Sequence, residues 1–221
     1  MNLSRLQSWL LATGLCLCAV VFLAACREDD GSWSPPYRQD FADLTTDATG
    51  AASAMVLDTD ARLSLTSPVT GLRPDTVYRI RALYTDEGNG HAHLTDFVPL
   101  LALDVRKLAA HLVKADPLEP VSCTRSGHYL NLCLSLRGTN EGIHAFGCHQ
   151  TDYVRHDDGS RTLHALLVHH QNNDPAHYSR PVYLSIRLSP LADLLQSGRD
   201  SMALHIVSFN GERVYRFAYT E

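Results

Sequence analysis

The sequence has twelve histidines, which could bind a metal, and nine of them lie after Asp116. Imidazole nitrogen is a common ligand of zinc. His91 and His93 are the best-spaced pair, since alternate residues of a strand share a face at about 6.6 Å. Asp86 or Glu87 across the adjoining turn could supply a third ligand. Two histidines beside a hairpin are more often ordinary surface residues, so we expect no metal and no cofactor.

The other histidine pairs are less well placed for a metal. His164 and His170 fall on one face of a strand but about 20 Å apart along it, which is too far for one ion. His169 and His170 are adjacent and therefore point to opposite faces of any strand that contains both.

Sequence signatures of catalysis are missing. The chain has no Gly-x-Ser-x-Gly, no His-Glu-x-x-His and no Gly-rich phosphate loop. Cys133 lies within an apolar run, where a thiol is usually inert. Asp157 and Asp158 precede Gly159 and predict a turn rather than an acid–base pair. We therefore expect no catalytic residue, and the favoured hypothesis is a protein that is not an enzyme.

Two further groups could contact a ligand but have simpler explanations. The alternating aromatic residues Tyr215, Phe217 and Tyr219 could form a ligand platform, although such residues are more often core. The run Asn172–Asp174 could hold a calcium ion or a sugar, and turn formation explains it equally well.

Cys26 is the one residue with a specific chemical prediction. It follows Leu23, Ala24 and Ala25 at the end of an apolar run that begins at Trp9 and contains no charge. This order resembles the lipobox of bacterial lipoproteins, in which the cysteine thiol takes a diacylglycerol and the amine freed by cleavage takes another acyl chain, such as palmitate. Residues 1–25 are then a signal peptide, and two or more acyl chains anchor the mature protein stably. The alternative is an uncleaved signal anchor.

The charged residues Arg27, Glu28, Asp29 and Asp30 come directly after this cysteine. They resemble the acidic export tag that directs lipoproteins to the outer face of the outer membrane in one group of Gram-negative anaerobes. The alternative is a solvated linker, which charge runs usually are. We expect a lipid-anchored protein of the outer membrane, displayed at the cell surface.

Charge and cysteine content limit the partners and the redox chemistry. Loss of Arg5 with the signal peptide changes the formal net charge from −5 to −6, which argues against nucleic acid as a partner. Cys123, Cys133 and Cys148 remain beside the lipidated cysteine, and three thiols cannot all pair internally. The exported compartment permits a disulfide, but small buried residues on strands explain them better.

Period-two patterns and turn signals dominate the rest of the chain, so we expect an all-β fold. We assign residues 26–39 to the lipidated N-terminus and a linker, 40–113 to a small β-barrel, and 114–221 to an antiparallel β-sandwich. The boundary is placed at the proline-containing segment "KADPLEP", residues 114–120. Helical patterns longer than two turns are limited to two candidates, "DVRKLAAHLV" and "PLADLLQS".

Two strand predictions are specific enough to test. In "YLNLCLSL" the alternate residues Leu130, Leu132, Leu134 and Leu136 fall on one face. Asn210-Gly211 is the strongest two-residue hairpin signal in the chain. A two-residue turn there places the following pairs opposite one another, with the first three on a buried face: Ile206 and Tyr215, Leu204 and Phe217, Met202 and Tyr219, and, on the other face, His205 and Arg216.

The stretch "TLHALLVHHQNNDPAHYSRPVYLSIRL", Thr162 to Leu188, together with "HYLNLCLSLRG", resembles the NigD-like lipoproteins of the same bacterial group. The resemblance covers nearly the whole mature chain and implies an N-terminal OB-like barrel followed by a C-terminal β-sandwich. This chain differs from the usual pattern in being rich in histidine. The biochemical role of the family is undefined, so the resemblance implies fold and location more than activity.

Two classes of function follow. The first is a noncatalytic surface lipoprotein that binds a glycan, a peptide or another envelope protein through the loops Asp86–His93 or Gln171–Arg180. The second is a hydrolase or metal-dependent enzyme whose site is assembled from residues distant in sequence. The sequence favours the first.

Overall fold

The computed structural model describes residues 37–220, so the predicted signal peptide and Cys26 lie outside the described residues. The first five strands close a barrel in the order β1-β2-β3-β5-β4, in which β3 and β5 are parallel and the other neighbours antiparallel. These strands are β1 (Arg38–Thr45), β2 (Ala52–Leu57), β3 (Arg62–Val69), β4 (Val77–Gly88) and β5 (His91–Pro99).

Alternation of apolar residues builds the barrel core. On β4, Ile80, Ala82 and Tyr84 all point inward and are buried, as the period of two in a strand requires. The Tyr84 hydroxyl donates a hydrogen bond of 2.8 Å to Asp40. Burial, followed by this bond, raises the pKa of Tyr84 to about 12. The tyrosine therefore stays neutral and packs within the barrel core.

The remaining strands form an eight-stranded sheet in the order β13-β12-β10-β9-β6-β11-β8-β7. They are β6 (Leu101–Arg106), β7 (Glu119–Ser126), β8 (Tyr129–Gly138), β9 (Ala145–Arg155), β10 (Arg161–His170), β11 (Tyr178–Arg187), β12 (Ser201–Ser208) and β13 (Gly211–Ala218). Both helical candidates contain only a single 3₁₀ turn, at Ala110–Leu112 and Ser189–Leu191.

Strand β6 connects the two halves of this sheet. Its first part, Leu101 to Asp104, pairs with β11, and its last two residues, Val105 and Arg106, pair with β9. Side chains from both halves meet in one hydrophobic cluster, which gives the predicted sandwich and confirms the all-β fold class. The four leucines of β8 are all buried, as predicted.

The sandwich is not purely antiparallel. Strand β6 is parallel to both of its neighbours, and β10 is parallel to β12. Apolar alternation is the same for parallel and antiparallel strands, so the sequence pattern could not distinguish the two directions. Strand direction depends on how the connections cross between the two halves.

The chain passes from the barrel to the larger sheet at Leu100. Strand β6, which the division at residues 113 and 114 assigns to the barrel, therefore pairs in the larger sheet.

The register of the β12–β13 hairpin corrects our prediction by two residues. Leu204 lies opposite Tyr215 and Ser208 opposite Gly211, so the turn residues are Phe209 and Asn210. The Ser208 hydroxyl donates to the Gly211 carbonyl at 2.6 Å and accepts from the Asn210 N–H at 3.2 Å, which favours a turn that begins one residue earlier.

A shift of two residues leaves every side chain on its predicted face. Met202, Leu204, Ile206 and Tyr219 are buried, and Tyr215 and Phe217 pack against the same core. These aromatic residues therefore belong to the core, which was the simpler explanation. His205 lies opposite Val214 rather than Arg216.

A buried arginine joins the barrel to the sandwich. Arg79 lies opposite Asp43 in the β1–β4 pair, and its guanidinium group uses all five N–H donors. Its acceptors are Asp43 (3.3 Å), Asp58 (2.6 and 2.8 Å), Asn131 (2.9 Å) and Ser185 (3.1 Å). The first two acceptors come from the barrel and the last two from β8 and β11, so one side chain links both sheets.

Aromatic and polar neighbours complete this arginine cluster. The guanidinium carbon lies 3.7 Å from the centre of the Tyr129 ring, a favourable cation–π geometry. The Tyr129 hydroxyl donates to Asp43 at 2.8 Å. Burial, followed by this bond, raises the pKa of Tyr129 to about 12. Asn131 donates to Asp58 at 2.7 Å, so the barrel and the sandwich share one polar network.

Cys123, Cys133 and Cys148 are free thiols on three different strands. Burial raises the pKa of Cys123 and of Cys148 to about 12. Thiols with such values are poor nucleophiles, in agreement with a packing role.

Candidate functional site

Two histidines and an aspartate form a hydrogen-bonded chain at one end of the sandwich. His144 Nε2 lies 2.9 Å from Asp174 Oδ2, and His144 Nδ1 lies 2.8 Å from His169 Nε2. His169 Nδ1 then lies 2.8 Å from the main-chain carbonyl oxygen of Asp116. Asp174 and His169 are buried, and the His144 side chain is only 2% exposed. We call this chain the histidine relay.

The bonding pattern assigns the protons of the histidine relay. A carbonyl oxygen only accepts, so His169 Nδ1 carries a proton, and an ionised Asp174 requires a proton on His144 Nε2. The short contact between the two rings needs one further proton.

The pKa directions agree with this assignment. Hydrogen bonds from Thr139, with His144 contributing, lower the pKa of Asp174 to about 2, so the carboxylate stays ionised. Burial lowers the pKa of His169. Phe146 stacks on the other side of His169, with ring centres 5.1 Å apart.

The histidine relay holds together two loops that are far apart in the sequence. These loops, residues 139–144 and 171–177, are called the loop platform. Thr139 donates both its N–H (2.8 Å) and its hydroxyl (2.6 Å) to Asp174. The Asn172 side chain donates to the Ile143 carbonyl at 2.7 Å. The run Asn172–Asp174 is thus explained by turn and network formation, with Asn172 and Asn173 both at positive φ.

Two glycines make the close approach of Asp174 feasible. An added Cβ at Gly142 would lie 1.9 Å from Asp174 Oδ2, and one at Gly138 would lie 2.2 Å from the same atom. Both values are far inside van der Waals contact, so a side chain at either position would displace the carboxylate.

The loop platform holds an apolar side chain in solvent. Ile143 is 80% exposed, although its own carbonyl is held by Asn172. Tyr178 is exposed directly after the second loop and lies opposite Gly138 in the β8–β11 pair. Phe209 is also exposed, with the Arg137 guanidinium carbon 4.3 Å from its ring centre. This end of the sandwich therefore presents exposed apolar groups.

The histidine relay has no reactive end. Its last atom is a main-chain carbonyl oxygen. The two imidazoles and the carboxylate form their hydrogen bonds with one another, with Thr139 and with this carbonyl. A base of the catalytic-triad type needs a nitrogen aimed at a nucleophile. The geometry supports the positioning of loops and not proton transfer to a substrate.

Sequence spacing gave no sign of the histidine relay. Its two histidines are 25 residues apart, and Asp174 lies 30 residues from His144. Only the pairing of β9 with β10 brings them together. The loop Gln171–Arg180, which the sequence suggested as a contact region, contains one of the relay residues.

The pair His91 and His93 is not assembled into a metal site. His91 Nδ1 lies 3.1 Å from the Asn89 carbonyl, and His93 Nδ1 lies 3.2 Å from the Thr66 hydroxyl. Asp86 pairs with Arg38 at 3.2 Å, and Glu87 accepts from Thr85. Over residues 37–220, no three His, Cys, Asp or Glu residues are grouped as metal ligands.

A second histidine pair lies between the parallel strands β10 and β12. His164 Nδ1 lies 2.9 Å from His205 Nε2, and His205 Nδ1 lies 3.0 Å from Glu212. Burial, and then the charge of His205, lower the pKa of His164. The sequence pattern does not predict this pair, because the parallel pairing of β10 with β12 joins strands that are not consecutive.

Comparison with known proteins places these observations in a family. The protein-family model described as the NigD-like C-terminal beta sandwich domain matches residues 102–219, more than half of the chain. No curated protein matches the chain. Across the described part of the chain, no helix has the length and apolar character to cross a membrane.

Solved structures share the fold at low identity. A NigD-like immunity protein from Bacteroides caccae is 22% identical, with a TM-score of 0.63 over 84% of this chain and 93% of its own. A candidate lipoprotein from Bacteroides fragilis is 15% identical, with a TM-score of 0.61 over 85% of this chain and 99% of its own. A protein of unknown function from Bacteroides vulgatus is 18% identical, with a TM-score of 0.63 over 83% and 92%.

Proposed function

This chain belongs to the NigD-like family, and on that premise we propose that it is a lipid-anchored envelope protein that binds a polypeptide partner and catalyses no reaction. The observation that carries the proposal is the loop platform. The side chains of the histidine relay hydrogen-bond to one another and to these loops. The loops in turn display Ile143 and other exposed apolar side chains. A rigid apolar centre with polar loops around it is the usual anatomy of a protein-binding surface.

Preorganisation supports a binding role. Ordering loops on association costs free energy. The histidine relay and the Asn172–Ile143 bond hold the loop platform in place within the free protein. A partner would therefore meet a surface that needs little rearrangement, and Ile143 at its tip would become buried.

The chemistry of the exposed groups selects among the expected partners. Isoleucine and phenylalanine offer apolar area, which suits a peptide or an envelope protein better than a glycan. A relative of the same fold is described as an immunity protein. A protein toxin bound at the cell envelope is a partner of the same chemical class.

The location is part of the proposal. The lipobox-like sequence before Cys26 and the acidic residues Glu28, Asp29 and Asp30 support an anchor in the outer membrane with the folded part facing outward, and a relative of the same fold is a candidate lipoprotein. The residues up to Tyr37 would then act as a stalk that allows the loop platform to reach its partner.

A photo-crosslinking amino acid at position 143 tests the binding surface in intact cells of the encoding organism. We expect a discrete crosslinked product with another polypeptide. The matched control carries the same amino acid at Val121, which is also exposed and apolar, at 64%, but lies on the edge strand β7. Products that form equally at both positions, or at neither, would contradict the proposal.

A parallel assay of the purified protein tests the absence of catalysis. Ester, phosphate and glycoside hydrolase substrates should show no turnover above buffer. Turnover that is reproducible and is lost in His144→Ala would instead establish an enzyme that uses the histidine relay.

A further inference from the structure

Three arginines converge on a cavity at the other end of the sandwich. The cavity, of about 360 Å³, is lined by Arg155, Arg161 and Arg199 together with Gly159 and Gln196. We call it the arginine pocket. It begins where β10 begins, about 30 Å along that strand from the loop platform. The chain as a whole is acidic, with a net charge of −5, so this concentration of cations is local.

The backbone places two of these cations side by side. Arg155 and Arg161 are directly opposite in the antiparallel pair of β9 and β10, and opposed residues project from the same face of the sheet. Like charges in that arrangement destabilise a hairpin. Such a pair is relieved when an anion lies between the two guanidinium groups.

Of the three arginines, only Arg161 forms an ion pair with a carboxylate of the described residues. Asp200 is buried and accepts from Arg161 Nε at 2.7 Å and from Arg161 Nη2 at 2.6 Å. The remaining acceptor capacity of Asp200 is taken by the N–H groups of Arg161 and Gln196. Arg161 is thereby held in place, and its guanidinium carbon also lies 5.7 Å from the centre of the Tyr153 ring.

The third cation is positioned by the hairpin turn. Arg199 Nη2 lies 3.3 Å from the Asp158 carbonyl, against Gly159. An added Cβ at Gly159 would lie 2.3 Å from that nitrogen, so a side chain at this position would move the Arg199 guanidinium group. The Asp158 carboxylate faces the turn, where it accepts from the N–H and the hydroxyl of Ser160. The pKa of Asp158 is lowered by hydrogen bonds from Ser160 and, to a smaller extent, by the charge of Arg199. No carboxylate among the described residues lines the pocket.

We propose that the arginine pocket is a binding site for a phosphate or sulfate group, either as the free ion or as the ester of a larger molecule. The guanidinium fork matches the oxygens of such groups, and Gln196 offers an amide donor. A volume of about 360 Å³ also leaves room for part of the molecule that carries the group. The site is independent of the loop platform and of the partner-binding function proposed for it.

Thermal unfolding of the mature lipidated chain in a nonionic detergent tests the site. Inorganic phosphate at ten times its Kd should raise the Tm by roughly 3–6 °C relative to sodium chloride of equal ionic strength. Arg155→Ala and Arg199→Ala should each weaken phosphate binding at least tenfold. Both variants leave the Arg161–Asp200 pair intact, so the fold is preserved. Arg213→Ala, an exposed arginine of β13, is the control and should bind phosphate as the wild type does.

Behaviour in chloride alone gives a second readout. Because Arg155→Ala removes a like-charge contact, its Tm without phosphate should equal or exceed that of the wild type. Comparison of inorganic phosphate with glucose 6-phosphate separates the two sources: tighter binding of the ester indicates a larger ligand, and equal binding indicates the free ion. A phosphate effect that is absent from the wild type, or unchanged in the Arg155→Ala/Arg199→Ala double variant, would overturn the proposal.

Discussion

Replacement of Arg79 by methionine should destabilise the whole folded unit. The substitution keeps a long apolar stem but removes five donated hydrogen bonds and the positive charge between Asp43 and Asp58. The Asp58 side chain is only 7% exposed, so its charge would remain in a poorly solvated place without a partner. Removal of one member of a buried ion pair costs about 3–5 kcal/mol.

This free energy corresponds to a large change in melting temperature. In a chain of about 200 residues, each kcal/mol lowers the Tm by roughly 2–4 °C, so Arg79→Met should lower it by about 6–20 °C. Circular dichroism and urea titration measure both quantities. Arg62→Ala is the control, because Arg62 is an exposed arginine of the same barrel, and its effect should stay within about 0.5 kcal/mol.

A double-mutant cycle shows whether the uncompensated carboxylate causes the loss. Asp58→Leu in the Arg79→Met background removes the stranded charge, so the double variant should be more stable than the sum of the two single effects by about 0.5–3 kcal/mol. An Arg79→Met protein as stable as Arg62→Ala would refute the view that this arginine connects barrel and sandwich. Strict additivity in the cycle would refute the explanation by charge.

Three further predictions concern the anchor and the histidines. Cys26→Ala should abolish labelling by a clickable fatty acid and slow precursor processing, whereas unchanged labelling would exclude lipidation at that residue. Gly142→Ala should lower the Tm measurably more than Gly147→Ala, whose added Cβ would approach nothing closer than a flexible side-chain methyl of Leu108 at 3.3 Å; equal effects would contradict the close approach of Asp174. The pKa values of His164 and His169 are lowered from 6.5 by burial, so unfolding takes up protons and stability should fall as the pH drops below about 6.5. His164→Gln should flatten this part of the Tm–pH curve, and an unchanged slope would show that His164 does not contribute.

Local pattern was sufficient for strand faces. The leucines of β8 and the apolar residues of β12 are buried as predicted, because the period of two is a property of the chain itself. The same local information failed for the β12–β13 register. Ser208 shifts the turn by one residue, which changes each partner but no face.

Residues on the polar face of a core strand show a second limit. Asn131 alternates with the leucines of β8, a pattern that predicts a solvent-facing side chain. It is nevertheless buried against Arg79. Alternation alone cannot distinguish a strand whose polar face is covered by the barrel from a strand whose polar face is exposed to solvent. The position of the barrel decides it.

The sequence by itself determined the all-β class, the inward faces of the strands and the family resemblance, because each depends on residues that are near one another in the chain. The tertiary structure decided the parallel pairings, the arginine cluster, the histidine relay and the arginine pocket. Each of these joins side chains from strands or loops that only the strand order brings together, such as His144 with Asp174 and Arg79 with Ser185. Hydrogen bonds and charges act over a few ångströms, so their partners are fixed by the fold and leave no periodic signal in the sequence.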